Sequence, residues 1–268
     1  MCPSFQKENM TEKEDSVQKV YHILQRKDGK PFEEKKKEAE DYIRTLEEPR
    51  LAEIILERAV QDETGKKMKE QFWKTGEIKK RDALLSLRDV KETDRESFLA
   101  LQRETNIAKV WLNQESYQKI LWEEHIQEKA IMFSIEVDHE YAGYCGIYDL
   151  SSENLEIVIE LLEKFQRQGI GQAAIQILTE EMKNRLGVKK FLVKIDSDNI
   201  GSQRLFEKLG AKPHGISNGL IQKKEDKEQF EKENENLIDE RLKQLAEKFG
   251  VEPRKLLSHV LVYQLEIV

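Results

Sequence analysis

The chain has 268 residues, a length for one or two domains. Its 52 acidic residues outweigh 45 Lys and Arg for a net charge of −7, which argues against a general nucleic-acid or anionic-membrane binder. Charged residues reach 36%, against about 25% in a typical domain, and hydrophobic residues only 38%, so the composition predicts much solvated helix around one compact core.

Residues 1–80 read as helices and turns. Thr11 and Glu14 fit a capping box ahead of a stripe of Val17, Val20, Tyr21 and Leu24. Residues 28–31, Asp-Gly-Lys-Pro, make a turn. Ala39, Tyr42, Ile43 and Leu46 mark a second stripe, and Pro49 opens a third helix carrying Leu51, Ile54, Ile55 and Ala59. Gly65 is expected to end it, with a short fourth helix at Met68, Phe72 and Trp73. The segment holds no titratable constellation. Its stripes must bury against a neighbouring domain or a second copy of the chain, so a homodimer through these helices is one expectation.

The pattern changes near residue 82. Strands are predicted at 84–88, 131–137, 141–150, 155–162, 191–195 and 259–267, and helices at 94–105, 113–126, 170–186 and 203–209. Asp138 to Glu140 reads as a short reversal. Residues 223–249 read as one amphipathic helix, with Ile238, Leu242, Leu245 and Phe249 spaced four, three and four. The organisation is therefore a helical segment to residue 80, then an α+β domain over 81–268 with a helical insertion at about 221–250.

Cysteine usage is sparse: Cys2 and Cys145 form no metal-ligand spacing and no disulfide framework. No stretch approaches the ~18 apolar residues of a membrane span, and the first 30 residues carry no signal-peptide run, so a soluble cytoplasmic protein is expected. Cys145 lies in an apolar run with no His–Asp pair beside it, which argues against a nucleophile.

The chemistry concentrates at 156–174, EIVIELLEKFQRQGIGQAA. A strand runs into a loop with Gly169 and Gly171 and then into a long helix. Glycine permits positive φ and close approach of a ligand to backbone N–H groups. The helix N-terminus adds free donors and partial positive charge, which together suit a phosphate or pyrophosphate. Gly169, Gly171 and Ala174 also fit a dinucleotide-binding fingerprint, with Asp196 near the distance of a ribose-binding acid. Against this, Gly169 comes seven positions after Leu162, and a hairpin precedes the strand.

Gln166-x-x-Gly169-x-Gly171 more closely resembles the pyrophosphate loop of the GNAT acyltransferase superfamily. Asn199, Ser202, Arg204 and the run Glu207 to Gly210 resemble its second signature, in the form found in ribosomal-protein N-terminal acetyltransferases, and 260–268 resembles its last strand. The resemblance covers about 82–217 and 256–268. It implies a GNAT-like mixed sheet flanked by helices, acetyl-CoA as cosubstrate, and transfer of an acetyl group to a primary amine of a protein N-terminus or a small molecule. The alternative is a catalytically silent CoA- or partner-binding module.

By position, the resemblance implies that the N–H groups of Arg167, Gln168, Gly169, Ile170, Gly171 and Gln172 hold the pyrophosphate. Backbone groups of Ile159, Leu161 and Leu162 hold the pantetheine arm, and Asn199 and Ser202 contact it. Attack on a thioester needs a neutral amine, hence a base. Glu156 and Glu160 share one strand face; the resemblance ranks Glu156 first, while Glu160 is nearer the point where the strands diverge. Many family members carry a Tyr that protonates the thiolate where this chain has Phe206. Trp111, Tyr117 and Trp122 fall where the family walls its acceptor site, or where a core would use them; His139 sits in a turn.

Overall fold

The computed structural model describes residues 4–78, 85–106 and 108–268, with side chains from residue 15 onward. Two units divide the chain, Met1–Lys67 and Met68–Val268. The expected boundary at 80/81, Leu84 and Cys2 lie outside the described residues.

In the first unit, α1 (Ser4–Gln25) and α2 (Phe32–Ile43) precede the start of α3 (Arg50–Trp73). Val20, Ile23 and Leu24 on α1 meet Ala39 and Ile43 on α2 and Ala52 on α3 in a small apolar cluster. Asp28 between the first two helices forms ion pairs with Arg26 at 3.3 Å and Lys35 at 3.6 Å. Two local readings need correction. Thr11 lies inside α1, so the Thr11–Glu14 pair opens no helix. Gly65 is buried within an unbroken α3. One interior glycine costs only about 1 kcal/mol relative to alanine, which the strong helix formers around it outweigh.

The last turns of α3 belong to the second unit. Phe72 is fully buried there, edge-on to Trp73 at 5.2 Å and tilted on Phe133 at 5.8 Å, with the Arg185 guanidinium 4.7 Å over its ring. A truncation meant to spare this unit must therefore begin at Met68. Phe72→Ala should lower stability by about 3–5 kcal/mol through loss of buried area and the cavity left behind. Urea titration followed by Trp fluorescence reads this, and a loss under about 1 kcal/mol would show that Phe72 is dispensable to the core.

The second unit runs β1 (Leu85–Asp89), α4 (Arg95–Thr105), α5 (Glu115–His125), β2 (Ile131–Val137), β3 (Glu140–Ile147), β4 (Ile157–Leu161) and α6 (Ile170–Leu186). It continues through β5 (Lys190–Ile195), α7 (Ile200–Lys208), β6 (Lys212–Asn218), α8 (Lys224–Glu233), α9 (Glu240–Phe249) and β7 (His259–Glu266). Strands β1 to β4 pair antiparallel in order, and β7 lies antiparallel between β5 and β6. A parallel bridge, Glu156 to Leu192, joins β4 to β5, which gives the mixed sheet expected. Asp138 and His139 carry φ of 51° and 67°, the two left-handed positions of a tight hairpin turn between β2 and β3.

Alternation along β2 separates two cores. Ile131, Phe133 and Ile135 pack with α6 residues on one side, whereas Met132 joins Phe98, Leu99, Leu101, Trp122 and Tyr144 on the other, under α4 and α5. The start of α4 is fixed by buried Asp94, which accepts both ends of the Arg88 fork at 2.6 Å, Ser134 Oγ at 2.8 Å and the Lys91 N–H at 2.8 Å.

The sequence reading missed β6, whose burial pattern is weak. It also merged α8 and α9: Asp239 caps α9, accepting the Leu242 N–H at 2.7 Å, and so starts a second helix. Glu231 on α8 is fully buried and accepts Ser258 Oγ at 2.6 Å and Lys255 Nζ at 3.0 Å, tying the insertion to the lead-in of β7. Among the described residues no helix is long and apolar enough to cross a membrane.

Candidate active site

Strand β4 has one free edge. Val158 and Glu160 turn their backbone groups toward β3, while Ile157, Ile159 and Leu161 turn theirs toward β5, as alternation in a paired strand requires. β5 meets β4 only at its start, where the Leu192 N–H donates to the Leu155 carbonyl at 2.9 Å. Beyond Glu156 the strands part, and the N–H groups of Ile159 and Leu161 face the gap. Leu161 O is already taken by Gln166 Nε2 at 2.9 Å. Leu162, expected to offer backbone groups, does not face the gap: its N–H donates to Ala142 O at 3.0 Å and its carbonyl accepts the Phe165 N–H at 2.9 Å.

The loop after β4 presents donors. Arg167 and Gly169 both have positive φ, 60° and 83°, and α6 begins at Ile170. The first backbone bond of α6 is Ala173 N–H to Gly169 O at 3.0 Å, so the N–H groups from Gly169 to Gln172 have no partner within the helix. Their convergence makes an anion-binding concavity with the helix dipole behind it. Gly171 is buried at the rim of the β4–β5 gap; a Cβ there would lie 3.4 Å from Leu205 on α7 and 3.5 Å from Ile159 and Leu161. Asn199 caps α7, accepting the Ser202 N–H at 3.0 Å, which leaves its amide N–H₂ to face a ligand.

Both candidate carboxylates stand on the same face of β4, as spacing by four predicts. Glu156 pairs with Lys194 of β5 at 2.6 Å, at the closed end of the gap. Glu160 lies past the bridge. Its Oε1 accepts Tyr144 OH at 2.8 Å, and its Oε2 accepts Gln102 Nε2 at 2.9 Å and Thr105 Oγ1 at 2.8 Å. Tyr144 is its cross-strand partner on β3, and Gln102 and Thr105 come from α4. Burial, then the neighbouring Tyr148 and Glu160, push the Tyr144 hydroxyl well up, so it remains a donor through the neutral range. These three holders were not singled out in the sequence; β3–β4 register could have found Tyr144, whereas α4 docking is invisible there.

His125 sits behind Tyr144, 4.6 Å away and edge-on, stacked on Phe98 at 4.3 Å, with its Nδ1 buried and unpartnered. Burial pushes this imidazole down from 6.5 to about 4, against the pull of Asp94. As pH falls through 6.5 the unfolded chain gains the proton first, so stability is full above 6.5 and declines toward pH 4. The expected loss by pH 4.5 is roughly 2–3 kcal/mol. Urea titrations at pH 7.5 and 4.5 measure it; His125→Phe should shrink the difference by that amount, and an unchanged difference would remove His125 as the cause.

The other candidates resolve simply. Cys145 is fully buried in the core and its thiol is pushed up by burial, which makes it no nucleophile. Phe206 is buried, as a helix residue packed on the sheet should be. Trp122 is buried with its Nε1 on Glu92 at 2.9 Å, Tyr117 packs against the same cluster, and Trp111 is exposed. His139 is exposed in its turn.

A family model described as the acetyltransferase (GNAT) domain matches residues 85–212. Over those residues the chain is similar to that domain. Among solved structures, a ribosomal-protein alpha-N-acetyltransferase, RimL, in complex with coenzyme A has a TM-score of 0.51 at 18% identity, over 72% of this chain and 98% of its own. An acetyl transferase from Salmonella typhimurium that modifies the N-terminal serine of a 50S ribosomal subunit protein has a TM-score of 0.48 at 18% identity, over 70% and 97%. No curated protein matches in sequence. The RimL likeness shows the GNAT fold. GNAT enzymes use acetyl-CoA, and the parts of this site fit it: free N–H groups at the α6 N-terminus for the pyrophosphate, and the open β4 edge for the pantetheine arm.

Proposed function

We propose that the protein moves an acetyl group from acetyl-CoA to a primary amine, of a protein N-terminus or a small molecule, and that Glu160 takes the proton of that amine. The open β4 edge beside Glu160 supports this reading most. The cosubstrate supplies an activated acetyl thioester. Gly169 to Gln172 hold its pyrophosphate, and the side-chain amide of Asn199 and Ser202 steady its arm. The N–H groups of Ile159 and Leu161 donate to the thioester oxygen as it gains negative charge. Glu160, fixed by three neutral donors, keeps lone-pair capacity for the incoming ammonium and removes its proton, directly or through a water molecule.

This order places Glu160 ahead of Glu156, the reverse of the order the sequence suggests. The reason is position: Glu156 is ion-paired at the closed end of the gap, and Glu160 stands at the open end. No acid is required at Phe206, since a thiol of pKa about 8 to 9 leaves readily as thiolate near neutral pH. The use of acetyl-CoA fits a cytoplasmic setting.

The test is release of thiol from acetyl-CoA by the purified protein with a panel of amines: peptides with free N-termini, lysine, polyamines and amino sugars. Amine-dependent thiol release with acetylated product is expected for at least one class. Tight CoA binding with no release from any of them would favour the silent CoA-binding module.

A further inference from the structure

A groove of about 290 Å³ lies between α7 and α9, and the chemistry above does not use it. α7 turns Ile200, Gln203 and Arg204 toward it, at i, i+3 and i+4. α9 turns Arg241, Gln244, Leu245 and Lys248 toward it, again from one helix face. Three cations and no acid therefore line this groove, on a chain whose net charge is −7. Of the acids on these helices, Glu240 pairs with Lys243 at 3.7 Å, Glu207 accepts Lys248 Nζ at 2.6 Å and Tyr263 OH at 2.8 Å, and Glu247 does not line the groove. Lys248 is thereby compensated, whereas Arg204 and Arg241 have no carboxylate partner among the described residues. Arg241 Nη1 donates to Ser197 O at 2.7 Å, which anchors its guanidinium beside the β5–α7 loop. Asp196 and Asp198 flank Ser197 but do not line the groove.

The groove lies close to the cofactor loop. Leu205, on another side of α7, packs at the Gly171 rim, so the groove is about one helix diameter, ~10 Å, from the pyrophosphate site. Ile200 carries it to the N-terminal end of α7, next to Asn199. A CoA molecule with its pyrophosphate on α6 carries beyond it an adenosine with a 3′-phosphate, a near-dianion at pH 7. Two guanidiniums suit that group by charge and by forked geometry, and Ile200 and Leu245 give the purine an apolar floor. We propose that the groove binds the adenosine 3′-phosphate end of CoA, so that the helical insertion, through Arg241, completes the cofactor site. This rests on the acetyl-CoA reading. A free phosphorylated nucleoside would present the same chemistry, and the experiment separates the two sources.

The experiment is calorimetric titration of the full chain with CoA and with 3′-dephospho-CoA. CoA should bind at least about tenfold more tightly, ~1.4 kcal/mol. Arg204→Ala with Arg241→Ala should bring CoA to the affinity of dephospho-CoA and leave dephospho-CoA unchanged; Lys243→Ala, on another face of α9, should alter neither. Adenosine 3′,5′-bisphosphate should compete with CoA. Equal affinity of the two cofactors for the unmutated protein overturns the proposal without touching the acetyl-CoA reading, and needs no variant to fold. An equal fall for both cofactors in the double variant also overturns it, since the arginines would then not read the 3′-phosphate. A nucleotide that binds alongside CoA assigns the groove to a separate ligand and overturns it too. No binding of either cofactor to the unmutated protein defeats the acetyl-CoA reading itself.

Discussion

Gly171→Glu should abolish the thermal stabilisation that CoA gives the protein. A ligand that binds only the folded state adds RT ln(1 + [L]/Kd), about 2.7 kcal/mol at a hundredfold excess over Kd. A Cβ at residue 171 already reaches contact distance from Leu205, Ile159 and Leu161, so a longer side chain must extend into the gap that would take the cofactor arm. Its carboxylate would also stand at the N-H-lined start of α6, in competition with a pyrophosphate. The melt is run with and without CoA, and with NAD as comparison. Gly171→Ala separates folding from binding, because its single methyl makes only ordinary contacts. Full stabilisation of Gly171→Glu by CoA, or equal stabilisation of the unmutated protein by NAD, would defeat the cofactor assignment.

Glu160→Gln should lower turnover by roughly 10²–10⁴-fold with CoA affinity little changed, the usual size of a general-base contribution. Glutamine keeps an oxygen for the donors that hold residue 160 and removes only the charge and basicity. The deficit should shrink at high pH, where the acceptor amine loses its proton unaided. Glu156→Gln provides the comparison, and should cost much less. If Glu156→Gln is the damaging change and Glu160→Gln is silent, the base lies at the ion-paired end of the gap and the assignment made here is wrong.

Local chemistry made much of this protein legible in its sequence. Apolar periodicity placed α6 and most strands, because each of those elements buries one regular face. The glycine pair at 169 and 171 pointed to an anion site, since positive φ at Gly169 and the free N–H groups at a helix start are local properties. Spacing by four put Glu156 and Glu160 on one face of β4. Where the local signal misled, it was outweighed: Gly65 did not end α3, and Thr11 did not begin α1. β6 stayed hidden because its exposed half carries no alternation strong enough to read.

Other features depend on elements distant in sequence coming together. That β4 and β5 touch at Glu156 and then part depends on how two antiparallel sheets meet, and no residue of β4 encodes it alone. This is why Leu162 looked available although its N–H and carbonyl are spent on Ala142 and Phe165. The different circumstances of the two carboxylates, one against Lys194 and the other held by Tyr144, Gln102 and Thr105, follow from cross-strand register and helix docking. The cationic groove likewise needs α7 and α9, some forty residues apart, to bring their arginines to one face. Sequence by itself determined where most of the helices and strands form and where an anion can bind, because those depend on neighbours within a turn or two. Tertiary structure alone decided which backbone groups remain free and which charges remain uncompensated, because both depend on partners brought together only when the sheets and helices pack.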